Sequence, residues 1–297
     1  MERRRFLAGM VGTVALLAGC KPRAAGTVIG SKNFTEQLIL GELLAQYLQP
    51  VARDGVERRF YLAGTYICHQ ALLAGRIDMY VEYTGTALTA VLKEKPLLDH
   101  AQVFEVVKRE YSRRFGLEVM PPLGFDNSFA IIMRGPDARR FGVTRLSQLA
   151  PFAPQLRMGV GFEFLERPDG YPGLVRTYGL RFAEAPRVMD LGLLYRALEN
   201  RQVDMIVGSN TDGLIAALDL VVLEDDAHYF PPYDAVPIVR RECLEQSPRI
   251  AGALERLGGR ISAQDMRRMN YAVDGEKKDA AVVVREFLAQ KRFFAAD

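Results

Sequence analysis

The side chains that could do chemistry in this 297-residue chain are few and scattered. His69, His100 and His228 stand alone, so no two imidazoles have the spacing of a metal site. Three cysteines, Cys20, Cys68 and Cys243, are too few and too dispersed for a zinc site or a disulfide scaffold. No metal and no cofactor is expected. There is no Gly-x-Ser-x-Gly elbow and no phosphate loop, and Ser31 after Gly30 has no histidine that can be assigned as its base. The chain is therefore expected not to be an enzyme. One residue has a setting that points to a covalent fate: Cys20 closes Leu17-Ala18-Gly19-Cys20, the pattern of a lipobox, in which the sulfur is acylated and the cysteine becomes the mature N-terminus.

The surroundings of Cys20 agree with that reading. Arg3, Arg4 and Arg5 precede an apolar run from Phe6 to Ala18, which is too short for the roughly 20-residue helix that spans a bilayer. Residues 1–19 read as a lipoprotein signal peptide and 20–26 as a lipidated tether. Arg3-Arg4-Arg5-Phe6-Leu7 also has a twin-arginine pattern, so the export route stays open. No later run of 18 apolar residues occurs, so the rest of the chain is expected outside the cytoplasm, held at the bacterial membrane by lipid alone. Loss of residues 1–19 removes three Arg and one Glu from a net charge of +3, and such a near-neutral balance argues against nucleic acid as a partner. For Cys68 and Cys243, a bridge and two small buried side chains both remain open.

The elements that must position a site are legible in an internal duplication. Residues 71–81, ALLAGRIDMYV, resemble residues 197–207, ALENRQVDMIV, at an offset of 126 without a gap. Each copy reads as a helix ending at Gly75 or Arg201, followed by an apolar strand after an aspartate. The lobe starts also correspond. Thr27–Ser31 reads as a strand leading to a helix from Thr35, and Leu156–Gly161 as a strand leading to Glu163–Arg167. Strands alternating with helices imply parallel α/β sheets with ligands at the strands' carboxyl ends, so both first turns should face one crevice. Leu123–Met133 and Phe230–Val239 read as two extended crossings between lobes. The expected division is 27–128 and 234–297 for lobe 1, with 129–233 inserted as lobe 2, and two crossings form a hinge.

Four segments then carry a specific resemblance: Gly30-Ser31-Lys32-Asn33-Phe34-Thr35-Glu36-Gln37, Glu82-Tyr83-Thr84-Gly85-Thr86, Glu163 to Gly170, and Phe230-Pro231-Pro232-Tyr233. In this order the sequence resembles the substrate-binding proteins of ABC importers for glycine betaine, carnitine and choline. The resemblance implies a two-lobed periplasmic-binding-protein fold of the venus flytrap type, type II. It also implies a small zwitterionic or quaternary-ammonium solute as ligand, and as partner an ABC permease with a cytoplasmic ATPase. A monomer is expected. The family's four aromatic cage positions fall on Tyr83, Phe129, Ser209 and Tyr233, so one ring is absent. Lys32, Thr86 and Arg167 fall on its carboxylate-binding positions, and Gln37 lines the same pocket.

The chemistry of such a site is independent of the family. A methylated ammonium has no N–H donor, so ring faces solvate it, each worth about 0.5–2 kcal/mol. A carboxylate instead asks for N–H or O–H donors. The alternative readings are an amino-acid-like ligand without a quaternary centre, or a ligand sensor without transport.

Overall fold

The computed structural model describes residues 26–293. The expected signal peptide, the expected lipidation site Cys20 and residues 21–25 of the tether lie outside the described residues. Among the described residues there are ten strands: β1 Thr27–Gly30, β2 Val56–Arg59, β3 Met79–Tyr83, β4 Leu117–Val119, β5 Phe129–Arg134, β6 Met158–Val160, β7 Arg187–Val188, β8 Met205–Ser209, β9 Leu220–Leu223 and β10 Ala235–Arg240. They form two five-stranded sheets, in the orders β2-β1-β3-β10-β4 and β7-β6-β8-β5-β9. In each sheet the first three strands are parallel and the fourth is antiparallel to both of its neighbours. The sheets are thus copies of one plan, with α/β lobes connected through β5 and β10.

The duplication read from sequence maps onto this plan. β3 and β8 occupy the same positions in their sheets, and their last residues, Tyr83 and Ser209, pair with the crossing strands at Ala235 and Phe129. The preceding helices, Thr65–Leu73 and Leu194–Glu199, are both followed by a left-handed residue, Gly75 (φ 63°) and Arg201 (φ 55°). Such a residue ends a helix by turning the chain away from it.

The strands of the two crossings begin at Phe129 and Ala235, each after a run of turn residues. Gly124 has a φ of 117°, which ordinary residues avoid, and Pro231 and Pro232 lack the N–H a ladder needs. The two approaches are held together by a bridge between Asp126 and Asp234. The Asp126 carboxylate accepts from the backbone N–H of Ser128 (3.0 Å) and of Tyr233.

Helix Thr35–Leu48 packs against β1, β2 and β3 on one side and against helices Ala263–Asp274 and Ala280–Gln290 on the other. It is therefore buried nearly all round, as its continuous apolar content requires. Cys68 and Cys243 are buried in separate core clusters and are not bridged to each other. Among the described residues no helix is long and apolar enough to cross a membrane.

Candidate ligand-binding site

The strand ends bring the eight expected residues to the crossings. At the end of β1 the chain turns at Ser31, and Lys32 is buried, 3% exposed. A buried ammonium needs a partner, and the Lys32 Nζ donates to Glu82 Oε1. Glu82 also accepts from the Tyr80 hydroxyl (2.8 Å) and from the Tyr83 backbone N–H (2.8 Å). The Lys32 ammonium lies 4.9 Å from the centre of the Tyr83 ring, and Phe34 stacks beside that ring at 6.5 Å.

A second cluster forms where β5 begins. The Phe129 ring meets Phe164 at 5.1 Å, Tyr233 at 5.4 Å and Phe230 at 5.6 Å. The Arg167 guanidinium lies over Phe129 (4.9 Å) and near Tyr233 (5.8 Å). It donates through Nε (2.9 Å) and Nη2 to the two oxygens of Asp169, which also accepts from the Tyr233 hydroxyl at 2.7 Å. Burial alone would lower the Arg167 pKa, but Asp169 overrides it and raises the value. Burial would likewise raise Asp169, and the guanidinium overcomes this to hold the carboxyl below its ordinary range. Gly85 allows Tyr233 to lie this close to helix Thr84–Thr86, since a Cβ there would stand 2.8 Å from its ring. Thr86 is buried on the same turn.

Ser209 joins the two halves. Its hydroxyl donates to Asn127 Oδ1 and lies 2.8 Å from the Thr211 hydroxyl oxygen, while its N–H donates to Asp212 at 2.8 Å. These bonds lead to Glu36, a fully buried carboxylate on the first turn of helix Thr35–Leu48. Glu36 accepts from the hydroxyls of Tyr83 (2.7 Å) and Thr211 and from the amides of Asn127 and Asn270 (3.0 Å). Burial raises its pKa against the pull of these four donors. Burial also pushes Asp212 up to about 7, despite hydrogen bonds from the Tyr195 hydroxyl and the Ser209 N–H, and the charge of Glu36 adds to the rise. Gln37 is 1% exposed and neither atom of its amide has a hydrogen-bond partner of good geometry. Burial and the Glu36 charge raise the Tyr83 phenol well above its ordinary pKa, and the nearby Gln37 amide only partly opposes them.

These observations define a buried seam lined by rings, two ion pairs and an acid-centred polar network, formed where the chain crosses between two similar sheets. A profile of the family described as the substrate-binding domain of ABC-type glycine betaine transport systems matches residues 27–290. The chain belongs to this family. It is 32% identical over 268 residues to a carnitine transport binding protein of Listeria monocytogenes, with 90% of this chain and 87% of that one covered. It is 34% identical over 262 residues to the ergothioneine transport permease/ergothioneine binding protein of Helicobacter pylori, covering 88% of this chain but only 47% of that protein's length. A solved glycine betaine/carnitine/choline ABC transporter structure superposes with a TM-score of 0.74 at 33% identity, over 91% of this chain and all of that one.

In the fold Lys32, Tyr83, Phe129, Arg167, Ser209 and Tyr233 are linked through contacts at this seam, with Gln37 and Thr86 buried on the adjoining turns; the resemblance did not reveal their partners. Both bases expected to hold a ligand carboxylate are already ion-paired with buried acids. Asp169, two residues from Arg167, was available to sequence reasoning as a local partner; Glu82, fifty residues from Lys32, was not. Glu36 stood unnoticed beside Gln37 in the same motif. Asn127, Thr211, Asp212 and Asn270 were also missed.

Outside the seam, a cavity of about 320 Å³ lies beside the crossings, lined by residues that include His100, Asp126, His228 and Phe230 and none of the eight. His100, Asp126 and Asp234 bring one potential metal-ligand atom each within 4.8 Å of one another. His100 Nδ1 is 2.8 Å from Asp234, and Asp126 is engaged by backbone N–H groups, so the group reads as a brace of the crossings.

Proposed function

We propose that this chain is an extracytoplasmic lipoprotein, anchored through Cys20, that captures a small quaternary-ammonium solute of the betaine or choline type and hands it to an ABC permease. Lobe 1 comprises 27–128 and 234–297, and lobe 2 comprises 129–233. The solute lies at the seam, with Tyr83, Phe129 and Tyr233 facing the methylated nitrogen, Ser209 in place of a fourth ring, and Lys32, Gln37, Thr86 and Arg167 at the polar end. The protein acts as a monomer and performs no catalysis. The observation that carries this reading is the convergence of these residues on the paired ends β3–β10 and β8–β5, where movement about the crossings would bury or release a solute.

A second ligand deserves equal testing because of Ser209. Its hydroxyl leaves a polar, ring-free position at the seam, and one relative bears a name for ergothioneine binding. Titration calorimetry of the mature protein with glycine betaine, carnitine, choline, ergothioneine and ordinary amino acids tests the reading. Binding of at least one quaternary ligand and none of the ordinary amino acids is expected; the reverse pattern contradicts it.

A further inference from the structure

The brace at the crossings has a donor set that its hydrogen bonds do not exhaust. His100 opens helix His100–Phe115, Asp126 lies on the approach to β5, and Asp234 immediately precedes β10. Each offers one ligand atom, and the three atoms lie within 4.8 Å of one another. Ligand atoms on a tetrahedral zinc stand roughly 3.4 Å apart, as bonds of about 2.0–2.1 Å require, so small side-chain rotations would close the set on an ion. Sequence concealed this group because His100 and Asp234 are 134 residues apart and meet only where the crossings pair.

Backbone contacts hold both carboxylates in place. The Asp234 N–H donates to the Thr84 hydroxyl at 3.0 Å, and its carbonyl accepts from the Thr84 N–H at 3.0 Å. Asp126 Oδ1 accepts from the N–H and hydroxyl of Ser128, and Oδ2 accepts from the Tyr233 N–H. An ionised carboxylate has about four acceptor sites, so Oδ2 keeps one for an ion. Asp234 Oδ2 faces His100 Nδ1 at 2.8 Å, while its Oδ1 accepts no hydrogen bond among the described residues. The charges acting on Asp234 are Asp126, which repels it, and His100. A cation between the carboxylates would remove that repulsion.

Two further observations converge on the same place. The cavity of about 320 Å³ is lined by His100, Asp126 and also His228, a second imidazole carried by the segment between β9 and β10. It has room for an ion and its waters, each of which takes about 30 Å³. The Asn210 Oδ1 is buried without a hydrogen-bond partner, although the Nδ2 of the same amide lies 3.4 Å from Asp126 Oδ1. An orphaned acceptor beside a carboxylate calls for a donor, which a metal-bound water supplies.

We propose that His100, Asp126, Asp234 and His228 form a site for a divalent transition metal of the zinc class, separate from the solute seam. Two imidazole nitrogens and two carboxylate oxygens suit zinc, whereas calcium and magnesium take six or more ligands, mostly oxygen. The ion takes the place of the proton between His100 Nδ1 and Asp234 Oδ2, and the imidazole keeps its own proton on Nε2. It joins both crossings to helix His100–Phe115. None of the eight seam residues lines the cavity, so ion and solute occupy different places.

The test is a zinc titration of the untagged mature protein in competition with a chromophoric chelator. One zinc per chain is expected, without binding of magnesium or calcium at the same concentrations. His100→Gln and His228→Ala should each weaken zinc at least about tenfold, since loss of an outer-shell partner alone costs about 10–100-fold. Both side chains are on the surface, so the variants should keep the fold, as circular dichroism checks. Should either not fold, X-ray absorption at the zinc edge of the wild type decides. Imidazole and oxygen neighbours at about 2.0–2.2 Å support the site; sulfur at about 2.3 Å puts the ion on a cysteine and overturns it. Failure to bind zinc, or an unchanged affinity in His100→Gln, also overturns the site. An unchanged affinity in His228→Ala overturns the assignment of its fourth ligand.

Discussion

Arg167 shows how much a single residue's surroundings change its meaning. Its charge is legible in sequence and its family position implies a grip on a ligand carboxylate, yet in the fold it is one half of a buried pair with Asp169. Removing one partner of such a pair leaves an uncompensated buried charge, which costs about 3–5 kcal/mol. Arg167→Ala should therefore lose that much stability in urea denaturation near pH 7, before any ligand is added. The effect has a pH signature. Asp169 is held below the ordinary carboxylate range in the folded chain. Its stabilising contribution is thus present above the unfolded value of about 4 and lost as pH falls through the folded value. The gap between wild type and variant should narrow below about pH 4. Equal stabilities at neutral pH would show that the pair contributes nothing.

At the scale of elements, the duplication was the most informative signal in the sequence, because equal burial and equal connectivity impose equal patterns of apolar residues. It correctly equated β3 with β8 and so Tyr83 with Ser209. It did not give what holds the approaches to the crossings together, because the Asp126 carboxylate and the Tyr233 N–H that donates to it lie 107 residues apart in the chain. The two copies also differ where the helix ends. Gly75 adopts its left-handed angle without strain, whereas Arg201 places a Cβ in the same conformation. Arg201→Gly should relieve roughly 1 kcal/mol and raise the melting temperature by about 2–4 °C. Gly75→Ala should do the opposite, since its Cβ would also approach the Arg240 guanidinium at 2.3 Å. Differential scanning calorimetry of both variants checks the pair, and a lower melting temperature for Arg201→Gly would contradict the argument.

At the scale of the molecule, the acid-centred network connects the helix after β1, the crossings, the end of β8 and the C-terminal helices. Protonation of its acids should therefore be felt by the whole fold. Asp212 is raised in the folded chain to about 7. The sign follows: its contribution is fully present below its unfolded value of about 4 and is lost as pH rises through about 7. The ligand-free protein should lose on the order of a few kcal/mol across that window, and Asp212→Asn should flatten the decline. Melting curves between pH 4 and 8 measure both, and parallel profiles for the two proteins would remove Asp212 from the account.

Movement about the crossings is the other whole-molecule expectation, with a smaller radius of gyration in scattering when ligand is bound. The central claim, however, is that the seam recognises a methylated cation by charge and ring faces together. Choline and 3,3-dimethylbutanol test it directly, because they share shape and hydroxyl while a neutral carbon replaces the charged nitrogen. Calorimetric titration of the mature protein with both should show choline bound at least about tenfold more tightly, as one to two cation–π contacts require. Equal affinities for the two, or tighter binding of the neutral alcohol, would contradict it.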